Sequence, residues 1–198
     1  MRLAASSREC DDAAVGGDVP VSNQARSGPW SFDELDELPR DGNRYEVVDG
    51  NLVVTPPPSD FHVLVARRLQ KALELGMPSD WEVFTDCAVR LGTDGRIADL
   101  AVIRLDRLPT SSVRNAFSLD QFGLVGEVVS PRTRKTDRFT KPGEYAEAGI
   151  PLYWRVELDP APRLHAYRLQ GGTYVEVDGP APTPWGVLDR SLADLDLR

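Results

Sequence analysis

Apolar and polar positions alternate over Arg44-Tyr45-Glu46-Val47-Val48 and again over Asn51-Leu52-Val53-Val54-Thr55. Asp49-Gly50 between them is a turn dipeptide that tolerates positive φ, so the two runs predict a β-hairpin. Pro56-Pro57-Pro58 stops the second strand. From Ser59 the period lengthens: Phe61, Leu64, Val65, Leu69, Ala72 and Leu73 fall on one helical face, and Gly76 and Pro78 end the helix. Upstream, Ser31-Phe32-Asp33-Glu34 is a capping box that opens a short helix before Pro39. Downstream, Trp81-Glu82-Val83-Phe84 and Ala88-Val89-Arg90-Leu91 read as two strands, with a third over 98–103 after the turn Thr93-Asp94-Gly95. A loop is expected over 104–119, then a nearly all-apolar run over 124–129 with Glu127 inside it. A basic stretch leads into a helix through Tyr145 to Ala148, capped by Gly149. Leu152–Glu157 is a strand, 163–169 and 173–177 pair around Gly171-Gly172, and 191–195 adds a helical turn.

The order helix, hairpin, helix, three strands, strand, helix, strand, hairpin predicts an α+β domain, a mixed sheet flanked by helices. Residues 1–27 lack apolar periodicity and read as a flexible tail, which leaves 28–198 as one domain. With 198 residues, 41% hydrophobic, the chain can bury a substantial core. Apolar runs are too short to cross a bilayer and the first residues do not form a secretory signal, so a cytoplasmic protein without a membrane partner is expected. Two cysteines, Cys10 and Cys87, exclude a disulfide framework and a cysteine-built zinc site. A net charge of −8 argues against a generally basic, DNA-coating protein.

Charge patterning changes that picture locally. Asp99 stands inside Ala98-Asp99-Leu100-Ala101-Val102-Ile103 and Glu127 inside Val125-Gly126-Glu127-Val128-Val129. A carboxylate within a buried strand costs several kcal/mol unless a cation or hydrogen-bond donors compensate it. Two such carboxylates on neighbouring strands are hard oxygen ligands for Mg²⁺ or Mn²⁺, and Glu46 is a third acid in a similar strand. Lys141, at a helix start after a short loop, can fold back over the end of the Glu127 strand and stabilise charge on a phosphate. Arg132, Arg134, Lys135 and Arg138 form a focused basic patch suited to phosphate backbones. The competing readings are a solvent-facing or arginine-paired carboxylate in each case, and a solvated surface lysine. His62 reads as a cap or packing residue. Ser130 lacks the flanking glycines of a nucleophile elbow, so a serine hydrolase using Ser130 and His62 is the weakest reading.

Gly42-Asn43-Arg44-Tyr45-Glu46-Val47-Val48-Asp49-Gly50-Asn51-Leu52 resembles the opening of the Uma-type family of bacterial restriction endonuclease-like proteins. The resemblance continues through His62, Asp99-Leu100-Ala101-Val102, Glu127-Val128-Val129-Ser130-Pro131, the run from Asp137 through Lys141 to Pro151, and Tyr153-Trp154-Arg155-Val156. It covers about residues 30 to 180 and implies the PD-(D/E)xK nuclease fold with a divalent metal at one sheet edge. Carried over residue by residue, the family's aspartate falls on Asp99, its glutamate on Glu127, its displaced lysine on Lys141 and an additional acid on Glu46. Two positions depart from the common pattern: Ala98 stands where proline usually precedes the aspartate, and Val129 where most nucleases of this fold carry the lysine.

The expected function is a Mg²⁺- or Mn²⁺-dependent DNA endonuclease. Asp99, Glu127, the carbonyl of Val128 and Glu46 would serve as metal ligands, and Lys141 as the charge-stabilising group. The alternative is a catalytically silent nucleic-acid or protein-binding module on the same fold. Family analogy implies a homodimer.

Overall fold

A computed structural model describes residues 19–20, 28–106 and 117–188. In chain order the elements are β1 (Val19–Pro20), β2 (Arg44–Val48), β3 (Asn51–Thr55), α1 (Asp60–Glu74), β4 (Trp81–Leu91) and β5 (Asp94–Arg104). Then follow β6 (Phe122–Val128), α2 (Lys141–Glu147), β7 (Leu152–Glu157), β8 (Arg163–Gln170), β9 (Thr173–Glu176), β10 (Ala181–Thr183) and β11 (Gly186–Leu188). Nine strands form one mixed sheet in the order β1-β3-β2-β5-β6-β7-β8-β9, with β4 paired to β5, while β10 and β11 make a separate ribbon. Only β6 and β7 are parallel, joined through α2, and every other pair is antiparallel. The expected α+β architecture is the observed one.

Both sheet faces are covered, as an interior strand sequence without sustained polar alternation requires. On one face Val65, Leu69 and Leu73 of α1 pack on Leu100, Val102, Leu124 and Trp154. On the other Tyr145 of α2 packs on Ala101, Ile103, Val125 and Tyr153. The 3₁₀ turn Phe32–Glu37 closes a third cluster with Tyr45, Val47 and Leu52. Its capping box forms: the Ser31 N–H and hydroxyl both donate to Glu34 Oε2, at 2.8 and 2.9 Å. The Phe32 ring lies where a side chain at position 95 would stand, since a Cβ on Gly95 would come within 1.8 Å of it. Gly95→Ala is therefore expected to destabilise the fold by about 1–3 kcal/mol or more, measured by urea unfolding. Alanine tolerated without loss would show that Phe32 does not anchor the sheet edge.

Three expectations need correction. The buried stripe of α1 is His62, Val65, Ala66, Leu69, Ala72 and Leu73, whereas Phe61 and Leu64 are exposed, so the packed face is rotated and contains a histidine. The two runs 81–84 and 88–91 are one strand. Apolar alternation breaks between them because Asp86 takes φ 53° in mid-strand, yet pairing with β5 resumes in unchanged register, Thr85 with Leu100 and Cys87 with Ala98. The β10–β11 ribbon was not foreseen; Trp154 Nε1 donates to Pro182 O and ties it to the core. Of the tail 1–27 only Val19–Pro20 is described, as a short edge strand along Val53 and Val54. The turn expected over 191–195 lies outside the described residues. Among the described residues no helix is long and apolar enough to cross a membrane.

Candidate active site

The site lies where the sheet divides. On one edge of β5, β2 pairs at Gly95 and β6 begins to pair only at Leu100, so Ile97 has no strand partner on that side among the described residues. Side chains take up its backbone groups instead: Ile97 N–H donates to Glu46 Oε1 at 2.8 Å, and Lys141 Nζ donates to Ile97 O at 3.2 Å. Side-chain alternation slips at the same place. Ala98 and Ala101, three residues apart, face the same core, which a regular pleat forbids. Asp99 sits at that slip, opposite the positive-φ Asp86.

Asp99 is 3% exposed and both its oxygens are engaged. Oδ1 accepts from Arg44 Nη1 at 2.6 Å; Oδ2 accepts from Val128 N–H at 2.7 Å and from His62 Nε2 at 3.1 Å. Glu127, 1% exposed, accepts from the Tyr145 hydroxyl at 2.8 Å and lies 3.0 Å from Lys141 Nζ. Lys141 Nζ is also 3.6 Å from Glu46 Oε1 and 3.7 Å from Asp137 Oδ1. Asp137 and Lys141, four residues apart, share the inward face of a π-helical turn running into α2, which is why one short segment supplies both. Arg44, His62, Asp99, Glu127, Asp137 and Lys141 line one cleft of about 490 Å³, walled by Pro56–Pro58 and Ser130–Thr133.

The charges follow from burial against partners. Burial opposes ionisation of Asp99, but the hydrogen bond from His62 and the positive charge around it, that of Arg44 and Lys141 included, hold its carboxyl well below the usual carboxylate range. Burial pushes Glu127 well above that range despite Lys141, and Asp99 and Asp137 push the same way. Burial also works against the Lys141 ammonium, but Glu127, Glu46 and Asp137 outweigh it and keep the amine protonated. Asp137 is raised to about 6, chiefly by burial, with Lys141 opposing.

A raised carboxyl means that the folded state holds the proton more tightly than the unfolded chain does. The Asp137 contribution to stability is therefore complete below its ordinary value of 3.8 and lost as pH climbs through about 6. Its full size is on the order of 2–3 kcal/mol. Asp137→Asn should flatten the urea-midpoint profile between pH 4.5 and 7; an unchanged profile would assign that dependence to another group.

A family described as "Putative restriction endonuclease", Uma2, matches residues 32–197, most of the chain. The chain belongs to the Uma2 family. A solved structure titled as a putative nuclease belonging to DUF820, from Anabaena variabilis ATCC 29413, is 20% identical in sequence with a TM-score of 0.68. The alignment covers 84% of this chain and 97% of that one, and it places the two in the same fold. No curated protein matches.

In this Uma2 member the structure brings Asp99, Glu127 and Lys141 together on one cleft. Glu46 lines an adjoining cavity of about 220 Å³ instead, with Arg96 and Lys141. Val128 meets the site through its N–H on Asp99. Arg132 lines the cleft, Arg134 and Lys135 are exposed, and Arg138 forks onto Glu157 through two bonds of 2.8 Å. No hydrogen bond joins Ser130 to His62 among the described residues: the serine hydroxyl pairs with Thr133 Oγ1 at 2.9 Å, and His62 with Asp99. Sequence reasoning missed His62, Arg44, Asp137 and Tyr145 as site residues. His62 was detectable as a polar residue within the apolar stripe of α1, and Tyr145 only as one more core aromatic.

Mg²⁺ is commonly held by one or two carboxylates, with water and substrate phosphate completing its shell. Asp99 and Glu127 meet that demand in kind, and Asp137 Oδ1 is a buried oxygen without a hydrogen-bond partner. They are not arranged for it in advance. Among the described residues no group of three or more His, Cys, Asp or Glu is spaced to hold a metal ion, and Asp99 Oδ1 is taken by Arg44.

Proposed function

We propose that this chain is a divalent-metal-dependent endonuclease that hydrolyses phosphodiester bonds in DNA. The observation that carries the reading is the convergence of Asp99, Glu127 and a buried, charged Lys141 on one open cleft. Membership of a family described as "Putative restriction endonuclease" and a fold neighbour titled as a putative nuclease support it.

Asp99 and Glu127, with the Val128 carbonyl, would hold Mg²⁺ or Mn²⁺, which supplies Lewis acidity toward phosphate and water when bound. Tyr145 fixes the Glu127 carboxylate by its hydroxyl bond. Lys141, kept protonated by the four carboxylates of Glu127, Glu46, Asp137 and Asp99, would present an ammonium where negative charge develops on the phosphoryl oxygens. Glu46 holds Lys141 in place from the neighbouring cavity, and a second metal ion there would compete with the Ile97 and Lys141 contacts. Arg132 meets the phosphate backbone at the cleft, with Arg134 and Lys135 beside it, whereas Arg138 is committed to Glu157. A homodimer would set two clefts against two strands, and a DNA substrate implies a cytoplasmic protein. Supercoiled plasmid incubated with Mg²⁺ or Mn²⁺ tests the reading: wild type nicks or linearises it, and cleavage at an equal rate by Asp99→Ala and Glu127→Ala would refute the proposal.

A second reading, a silent binding module, is favoured by one observation: Asp99 and Glu127 are each already paired with a protein cation. A thermal shift with Mn²⁺ that disappears in Asp99→Ala separates the two, since a silent module gives none.

A further inference from the structure

We propose that Arg44 is the phosphate-binding residue of this cleft, held in place by Asp86 and in competition with the metal for Asp99. The inference rests on the metal-dependent reading above and names a group that reading does not use. Arg44 opens β2 and its side chain is 18% exposed. One arm of its guanidinium, Nη1, sits on Asp99 Oδ1 at 2.6 Å; the other, Nη2, pairs with Asp86; and Nε has no hydrogen-bond partner among the described residues. Arg44 lines both the 490 Å³ cleft and the adjoining 220 Å³ cavity, which it shares with Lys141, Thr55 and Thr133. The guanidinium thus stands between the two spaces that a phosphate chain could enter.

The two carboxylates that hold it differ in kind. Asp99 is buried and is a candidate metal ligand; Asp86 is 58% exposed and lies outside the cleft lining. Arg44 is the partner of Asp99 Oδ1, because Val128 N–H and His62 share Oδ2. A cation approaching Oδ1 meets Arg44 there and has to displace it. Asp86 changes the cost of that displacement. Its φ of 53° in mid-strand is uncommon for a non-glycine residue, though Asp and Asn adopt it more readily than most, and unusual backbone of this kind clusters at functional sites. With Nη2 still on Asp86, the released guanidinium keeps a partner and stays at the cleft. Nη1 is then free to donate to a phosphate oxygen, while Nε, which lies on the Nη2 side of the guanidinium, leaves a second donor open there.

Arg44 and Asp86 should therefore affect metal binding with opposite sign. Mn²⁺ titration calorimetry on the full chain tests this, with circular dichroism confirming the fold of each variant. Arg44→Met should bind Mn²⁺ about fivefold tighter or more. The same variant should bind a short DNA duplex in Ca²⁺ more weakly, with the salt slope reduced by about one ion. Asp86→Asn, which tolerates the positive φ, should bind Mn²⁺ more weakly, and this effect should vanish in the Arg44→Met background. Unchanged or weaker Mn²⁺ binding in Arg44→Met, with binding still abolished by Asp99→Ala, overturns this inference and leaves the metal-dependent reading standing. If neither wild type nor Arg44→Met binds Mn²⁺ in an Asp99-dependent way, both fall. Should Arg44→Met fail to fold, Asp86→Asn decides alone, and Mn²⁺ affinity equal to wild type overturns the inference.

Discussion

Lys141→Met is expected to lower stability by about 3–5 kcal/mol, the cost of removing one partner from a buried ion pair. In a domain of this size that corresponds to a melting temperature lower by roughly 6–20 °C. The ammonium lies 3.0 Å from Glu127, 3.6 Å from Glu46 and 3.7 Å from Asp137, and it donates to Ile97 O at 3.2 Å. Its loss leaves buried carboxylates facing one another and a strand carbonyl without a donor. The carboxylates would then take up protons, so the variant should lose most stability at neutral pH and regain part of it in acid. The double variant Lys141→Met/Glu127→Gln should recover more than half of the loss, because the most buried of those charges is gone. Both would lack cleavage activity. Thermal and urea unfolding of the three proteins decide the matter, and a single variant within about 1 kcal/mol of wild type would mean that Lys141 is not the counter-ion of the cluster.

The second large effect is expected at Asp99, on activity. Asp99→Asn keeps the shape and an acceptor for Val128 N–H, but removes the charge that a divalent cation needs. Cleavage of plasmid with Mg²⁺ should fall by about 10³-fold or more. The same variant should lose metal-linked stabilisation, which for wild type amounts to about 2.7 kcal/mol at a Mn²⁺ concentration 100 times its Kd. These two readouts are independent. A variant that still gains stability from Mn²⁺ yet cleaves slowly would place the metal elsewhere and leave Asp99 as the anchor of Arg44 and His62.

The opposite directions in which the Asp99 and Glu127 carboxyls are shifted have one origin. Both are buried, but Asp99 receives three donors, two of them cationic or able to be, whereas Glu127 shares its single lysine with Glu46 and Asp137. A bound divalent ion would relieve that crowding, and any gain in stability on adding metal would have that physical origin. The net charge of −8 has the same reading: part of it is a carboxylate cluster, and Arg44, Arg132 and Lys141 are the positive groups that line the cleft beside it. DNA affinity should then be modest, salt-sensitive and dependent on metal.

The sequence by itself determined the hairpins at Asp49-Gly50 and Gly171-Gly172, the capping box at Ser31, the apolar strands holding Asp99 and Glu127, and a mixed sheet flanked by helices. These follow from turn chemistry and from the rule that a carboxylate in an apolar strand must have a compensating partner. Which partner each carboxylate found was decided only in three dimensions. The alternation that assigns side chains to faces slips at Asp99, where β4 carries the positive φ of Asp86 and β2 and β6 part along the other edge of β5. Sequence periodicity assumes a regular pleat, so it gives no direction for a side chain at such a break. Arg44, His62 and Asp137 come to the site from elements as many as 55 residues away from Asp99, Arg44 being the most distant of its direct partners. That proximity is a property of the divided sheet, set by the packing of α1 and α2 on its two faces.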